Sequence, residues 1–135
     1  MSEASRARGL SRLLVVVYAI FAIAATSRSV VQLANRFDEA PIAYLLSAVA
    51  ALIYIVATVA LALGERGRKI ATIAIGVELV GVLVVGALSV AYPALFPRAT
   101  VWSAFGLGYA FIPLVLPIIG LWWLRRSSKG DRGAP

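Results

Sequence analysis

The sequence predicts an all-α membrane protein, an antiparallel bundle of four transmembrane helices with both termini in the cytoplasm. Hydrophobic residues make up 61% of the 135-residue chain and charged residues only 14%. Soluble domains average about 45–50% and about 25%, so the composition excludes a disordered chain and argues against a water-soluble globule. The length suits one membrane domain covering residues 1–135.

The hydrophobic residues fall in four long runs, at 13–34, 42–63, 70–92 and 101–124. About 20 helical residues cross a hydrocarbon core of about 30 Å, and only helices or closed barrels satisfy their backbone groups there. Strands of a barrel would alternate in polarity. The second run has no such alternation, so we predict four helices. Short connections would make consecutive helices antiparallel neighbours.

The basic residues predict the orientation. Of the 13 Lys and Arg residues, ten flank the runs on the side of the two termini, two lie on the other side, and Arg28 lies within a run. The ten are Arg6, Arg8, Arg12, Arg66, Arg68, Lys69, Arg125, Arg126, Lys129 and Arg132. The positive-inside rule therefore predicts a multi-pass plasma-membrane protein with cytoplasmic termini. Trp122 and Trp123 are expected at the inner interface, and Tyr92 and Trp102 beside an outer loop.

The N-terminal region has a second interpretation. Its basic start, the apolar stretch 13–25 and the small residues of 22–24 also resemble a secretory signal peptide with an A-x-A cleavage site. The hydrophobic pattern continues to Ala34, which favours an uncleaved span. The intact mass of the purified protein distinguishes the two.

The residue inventory excludes several chemistries. The chain has no Cys, no His and a single Met. Thiol redox chemistry, zinc ligation by imidazole, catalytic triads with His or Cys, and ordinary haem ligation are therefore absent. Phosphate-binding and hydrolase motifs are missing too. We expect no catalytic residues, no metal, no cofactor and no nucleic-acid partner. The basic tails are expected to face an anionic leaflet of the lipid bilayer.

Two ionisable residues lie inside the runs, Arg28 in the first and Glu78 in the third. Each costs roughly 2.5–3.5 kcal/mol to insert, so a bundle interior, a partner or a water-filled cavity is expected around it. Glu78 has two interpretations. It is either a neutral carboxyl that docks helices by a hydrogen bond to Ser47, Thr58 or a backbone carbonyl, or a carboxylate that exchanges protons or cations.

Arg28 lies about 10 Å further along the membrane normal than Glu78, counted from the same edge. It could anchor at the outer interface near Asp38 and Glu39, bridge to Glu78, or contact a substrate. Gln32 extends the polar stripe that begins at Arg28. This stripe is either a polar mouth or a helix end emerging from lipid.

Two further patterns concern helix packing. Gly76, Gly81 and Gly86 in the third run permit close approach of another helix, within the bundle or in an oligomer. Pro113 and Pro117 predict a kink in the fourth run, because each removes a backbone donor. A hinge or a free carbonyl for an ion is the alternative use of these prolines.

Segments 27–33, 37–41, 44–47 and 101–103, together with the two prolines, resemble small uncharacterised four-helix integral membrane proteins of actinobacteria. The resemblance implies no activity. In size and number of spans the chain is also similar to the small multidrug resistance exporters. Their membrane glutamate lies in the first helix, whereas Glu78 lies in the third.

The sequence favours a non-catalytic membrane protein, either a homo-oligomer or an accessory subunit of a larger membrane complex. The alternative is a small proton- or cation-coupled transporter that uses Glu78. An intramembrane enzyme is not expected, because Glu78 has no matched acid or base partner deep in a span.

Overall fold

The computed structural model describes residues 3–35, 38, 41–96, 100 and 102–133, and their side chains from Gly9 to Arg126 with the exception of Leu95. Four long helices are present: α1 (Glu3–Asn35), α2 (Pro41–Ala62), α3 (Arg68–Ala91) and α4 (Ile112–Gly133). Short 3₁₀ helices occupy Gly64–Gly67 and Pro93–Leu95, and the 3₁₀ segment Ser103–Tyr109 is interrupted by left-handed backbone at Ala104, Phe105 and Gly106. No strand occurs in these ranges, so the prediction of an all-helical protein is confirmed for them.

Three helical stretches are long and apolar enough to cross a membrane, Gly9–Asn35, Pro41–Ala62 and Gly64–Ala91. They contain the first three predicted runs almost completely. Large apolar side chains cover their outward faces; Ile23, Leu52 and Val90 are each more than 60% exposed. Such a surface suits contact with lipid, because a soluble monomer rarely exposes so much continuous apolar area.

The fourth predicted run, 101–124, is not one helix. Val101 lies outside the described residues, and the remainder divides into Ser103–Tyr109 and α4, which meet at an angle of 99°. Ala110 and Phe111 have positive φ angles of 55° and 61°, in the left-handed region that interrupts a helix. A continuous helix would also drive the Pro113 ring against the carbonyl of Tyr109. The two pieces are long and apolar enough to cross a membrane only if they count together as one broken span.

The two prolines of this region are placed differently. Pro113 is the second residue of α4. An N–H in the first turn has no acceptor within the helix, so the proline costs no hydrogen bond there. Pro117 lies inside α4. Both side chains are fully buried. The large change of chain direction lies at Ala110 and Phe111, just before Pro113.

The core lies where α1, α2 and α3 meet, and α4 closes it. The largest fully buried side chains of the three helices are Tyr18, Tyr54, Ile75, Glu78 and Val82. The face of α2 toward the core is lined with alanines, which lets the neighbouring helices approach closely. Removal of a signal peptide ending near Ala24 would delete Tyr18 from this core.

Gly67, between α2 and α3, provides a test of this packing. A Cβ atom at Gly67 would overlap the backbone of Ala60, whereas a Cβ at Gly76 would meet nothing within 4 Å. We expect Gly67→Ala to lower the free energy of unfolding by about 1–3 kcal/mol, because α2 must shift. Gly76→Ala, the control, should change it little or raise it by up to about 1 kcal/mol. Equilibrium unfolding in mixed micelles measures both; equal destabilisation would contradict this account of the turn.

Candidate functional site in the bundle core

Glu78 is the centre of the site. It lies near the middle of α3, its exposed fraction is 0%, and the Tyr18 hydroxyl of α1 donates a hydrogen bond of 2.7 Å to its Oε1. The second carboxyl oxygen, Oε2, is buried and has no hydrogen-bond partner among the described residues. A buried carboxyl oxygen without a donor is costly, so this atom points to a proton, a water or an ion.

The hydrogen-bond partner of Glu78 is none of the groups predicted from the sequence. Thr58 instead donates to the backbone carbonyl of Tyr54, at 2.6 Å. Ser47 lines a separate cavity. Arg28 donates to the hydroxyl of Tyr109. The structure therefore joins Glu78 to Tyr18, which was not among the predicted site residues.

A row of aromatic rings leads away from Glu78. Tyr18 lies with its ring centroid 6.2 Å from that of Tyr54, Phe21 lies 5.6 Å from Tyr54, and Phe21 lies 5.8 Å from Tyr109. These separations are those of favourable aromatic pairs. We call Tyr18, Tyr54, Phe21 and Tyr109 the aromatic row. It connects the buried carboxyl with the end of the bundle where Arg28 lies.

A small cavity lies at the Arg28 end. Its volume is about 20 Å³, and Arg28, Ser29, Ser47, Phe21 and Tyr109 contribute to its lining. A volume of about 10–15 Å³ already accommodates one water. The cavity joins an exposed guanidinium to the outermost ring of the aromatic row. Glu39, one expected partner of Arg28, lies outside the described residues.

Three more buried oxygens lie on α1 near this cavity. Thr26 Oγ1, Ser29 Oγ and Gln32 Oε1 are buried and have no hydrogen-bond partner among the described residues. They recur every three residues, so successive oxygens are about 4.5 Å apart along the helix. Buried polar groups are normally satisfied by protein or by ordered water. We call these atoms the α1 oxygens, and their position suits a short file of water.

Residues 102–111, which we call the cap segment, cover the site. Trp102 Nε1 donates to the Tyr54 hydroxyl at 3.0 Å, and its side chain is only 3% exposed. Trp102 therefore packs inside the protein, and its position beside an outer loop stays a prediction. The cap segment holds Tyr54 at one point and Arg28, through Tyr109, at another.

The packing glycines explain how the cap segment approaches α3. A Cβ on Gly81 would lie 2.7 Å from the ring of Trp102, and a Cβ on Gly86 would overlap the ring of Phe105. These two glycines therefore make room for rings of the same chain. Gly76 faces open space.

Glu78, Arg28 and Gln32 were predicted from the sequence, whereas Tyr18, Tyr54, Trp102 and Tyr109 were not. One signal was available for the tyrosines. A tyrosine deep in an apolar run needs a partner for its hydroxyl, and buried Tyr and Trp side chains usually find one.

The chain matches no known protein family, no curated protein and no solved structure. The resemblance to actinobacterial membrane proteins stays a prediction. Among the described residues, no group of three His, Cys, Asp or Glu could hold a metal ion. The chemistry of the site is thus that of one carboxyl, its phenol neighbours and the α1 oxygens, which suits binding of a proton or a small cation.

Tyr18→Phe tests the central hydrogen bond. The variant leaves Glu78 Oε1 without its donor, so we expect the free energy of unfolding to fall by about 1–3 kcal/mol. Tyr92→Phe is the matched control, because Tyr92 is 60% exposed; its effect should be within about 0.5 kcal/mol. Equilibrium unfolding in mixed micelles compares the two. Equal effects would show that the Tyr18 bond adds no net stability.

Proposed function

We propose that this protein is a small proton- or cation-coupled transporter in which Glu78 binds the coupling ion. The observation that carries the proposal is the Glu78 carboxyl, fully buried within α3 with one oxygen bonded to Tyr18 and the other unpartnered among the described residues. Intramembrane carboxyl groups are expensive and commonly mark ion pathways.

The charge of Glu78 needs compensation whenever it is ionised. In the described bundle no Lys or Arg side chain bonds to it, and its direct partner is the neutral hydroxyl of Tyr18. The titratable groups that face it are Tyr18 on α1, which donates to it, and Tyr54 on α2, whose ring packs against that of Tyr18. Trp102 of the cap segment and Gly120 of α4, which lie beside these hydroxyls, do not titrate. A bound proton or small cation therefore supplies the neutralising charge.

The α1 oxygens support access to Glu78 from the Arg28 end. They extend inward from Gln32 to Thr26, beside a cavity large enough for a water. Waters at these atoms would satisfy the buried oxygens and carry an ion as far as the outer end of the aromatic row. The cap segment would then limit passage, since it is tied to both Arg28 and Tyr54.

We also propose that the protein is embedded in the plasma membrane. The distribution of Lys and Arg favours a multi-pass plasma-membrane protein with both termini in the cytoplasm. In this arrangement the helices are antiparallel neighbours, and the cap segment with α4 makes a broken fourth span. Transporters commonly place broken helices where they line an ion site.

Glu78→Gln tests the coupling role. Full-length protein in vesicles with an entrapped pH indicator should dissipate an imposed pH gradient when a potassium diffusion potential provides charge balance. We expect Glu78→Gln to reduce the protein-dependent rate by about tenfold or more, because an amide cannot exchange a proton at the site. Glu65→Gln makes the same chemical change at an exposed carboxyl and should leave the rate unchanged.

Two results would contradict the proposal. One is an equal rate for the wild type and Glu78→Gln under an imposed proton gradient and also under an imposed sodium or potassium gradient, in protein shown to be folded by its circular dichroism. The other is an equal loss in Glu65→Gln. The same vesicles with an imposed sodium or potassium gradient distinguish a proton from a metal cation as the coupling ion.

One observation favours the second candidate, an oligomeric or accessory subunit. Gly81 and Gly86 are used within the chain, but Gly76 faces open space beside the exposed side chains of Ile73, Val77 and Val80. A second helix could approach α3 closely there.

Gly76→Leu tests that candidate. If a neighbouring chain packs on this face, the bulky side chain should abolish the oligomer or complex, whereas Ala62→Leu, at an exposed position of α2, should not. Native mass spectrometry of protein released from lipid nanodiscs reads out the assembly. A monomer in the wild type, or an assembly unaffected by Gly76→Leu, would exclude this face as the interface.

A further inference from the structure

A second, larger cavity lies at the opposite end of α3 from the cap segment. Its volume is about 220 Å³, and it lies between the end of α2, the turn Gly64–Gly67, the first turn of α3 and α4. The cavity has an apolar wall formed by Ala60, Leu61 and Ala71. Its polar atoms belong to Arg68, Glu65 and Trp123. It lies about 15 Å along α3 from Glu78, so it is independent of the proposed transport site.

Arg68 is fixed at the wall of this cavity. One terminal nitrogen donates to the Leu124 carbonyl of α4 at 2.7 Å, and the other contacts Glu65 at 2.9 Å. The side chain of Arg68 is 20% exposed and that of Glu65 is 72% exposed. A planar guanidinium held in this way is suited to phosphate, which it can bind through two oxygens.

The surroundings of the cavity are strongly basic. Arg66 and Lys69 flank Arg68 in the chain, Arg125 and Arg126 follow Leu124, and all four are exposed. Glu65 is the acidic residue in the cavity lining. Arg126 also lies over the ring of Trp122, 5.2 Å from its centroid. Trp and Arg together are typical of the depth of lipid headgroups.

We propose that this cavity binds the phosphate headgroup of an anionic phospholipid, with Arg68 contacting the phosphate. The apolar walls distinguish a lipid from free phosphate, since Ala60, Leu61 and Ala71 would pack against its glycerol and the first acyl carbons. Exposed Leu63 and Ile70 continue the apolar surface next to the cavity. Basic pockets between transmembrane helices are a general form of lipid site.

Glu65 competes with the lipid phosphate for Arg68. An ion pair whose carboxylate is mostly exposed contributes little, so exchange of Glu65 for a phosphate is inexpensive. The Leu124 contact stays in place and keeps the guanidinium at the wall. Removing the Glu65 charge should therefore strengthen lipid binding.

The test uses the full chain in a neutral detergent, titrated separately with short-chain phosphatidylglycerol, short-chain phosphatidylcholine and inorganic phosphate. Native mass spectrometry counts bound lipid, and the shift in Tm reports binding. We expect saturable binding of one phosphatidylglycerol, with much weaker effects of the other two ligands. Arg68→Gln should weaken phosphatidylglycerol binding by about tenfold to 100-fold, the range for loss of a charged hydrogen bond. Glu65→Gln should tighten it.

Two matched variants make the result specific. Arg66→Gln removes the same charge from the same turn outside the cavity and should weaken binding only a few-fold. Ala71→Leu narrows the cavity without changing charge and should also weaken binding. Glu65→Gln, at a residue that is 72% exposed, keeps the test decisive if a substitution at the buried wall fails to fold.

Three results would overturn the proposal. Equal losses in Arg66→Gln and Arg68→Gln would show diffuse attraction to the basic surface. Unchanged binding by folded Ala71→Leu would place the lipid elsewhere. Equal potency of inorganic phosphate and phosphatidylglycerol would assign the cavity to a free phosphate.

Discussion

The arrangement of this protein depends on burying one carboxyl group between helices whose outer faces suit lipid. Glu78 has no exposed surface, so the protein itself must supply its polar environment. The Tyr18 hydroxyl does so directly and links α1 to α3. Tyr54 packs its ring against Tyr18 and accepts from Trp102, which brings α2 and the cap segment to the same centre. Helices α1, α2 and α3 and the cap segment thus meet around the Glu78 carboxyl.

The shape of the cap segment follows from that centre. Trp102 and Phe105 reach the core because Gly81 and Gly86 leave space on α3. Four non-glycine residues of the segment have positive φ angles: Ala104, Phe105, Ala110 and Phe111. Such conformations cost about 1–2 kcal/mol each and persist where surrounding packing enforces them, which is common at functional sites. The strained backbone therefore lies in the same segment as Trp102 and Tyr109, whose contacts with Tyr54 and Arg28 close the site.

The two ends of the bundle are chemically different. At one end a cavity the size of a water lies beside the α1 oxygens and Arg28. At the other, a larger cavity has a constrained Arg68 and apolar walls. α3 connects the two, beginning at Arg68, passing Glu78 at mid-length and ending below the cap segment. The proposed ion site and the proposed lipid site therefore share no residue.

The sequence alone determined that the protein is helical, where the first three long helices lie, and that Glu78 and Arg28 are the charged residues requiring explanation. These properties follow from composition and run length, since lipid imposes the same requirement on every residue of a span. Only the tertiary structure decided that the fourth run is broken at Ala110 and Phe111, and that the partners are Tyr18 for Glu78 and Tyr109 for Arg28. These contacts join residues 60 and 81 positions apart. Hydrophobic periodicity describes one helix at a time, so it contains no information about which side chains meet across the bundle.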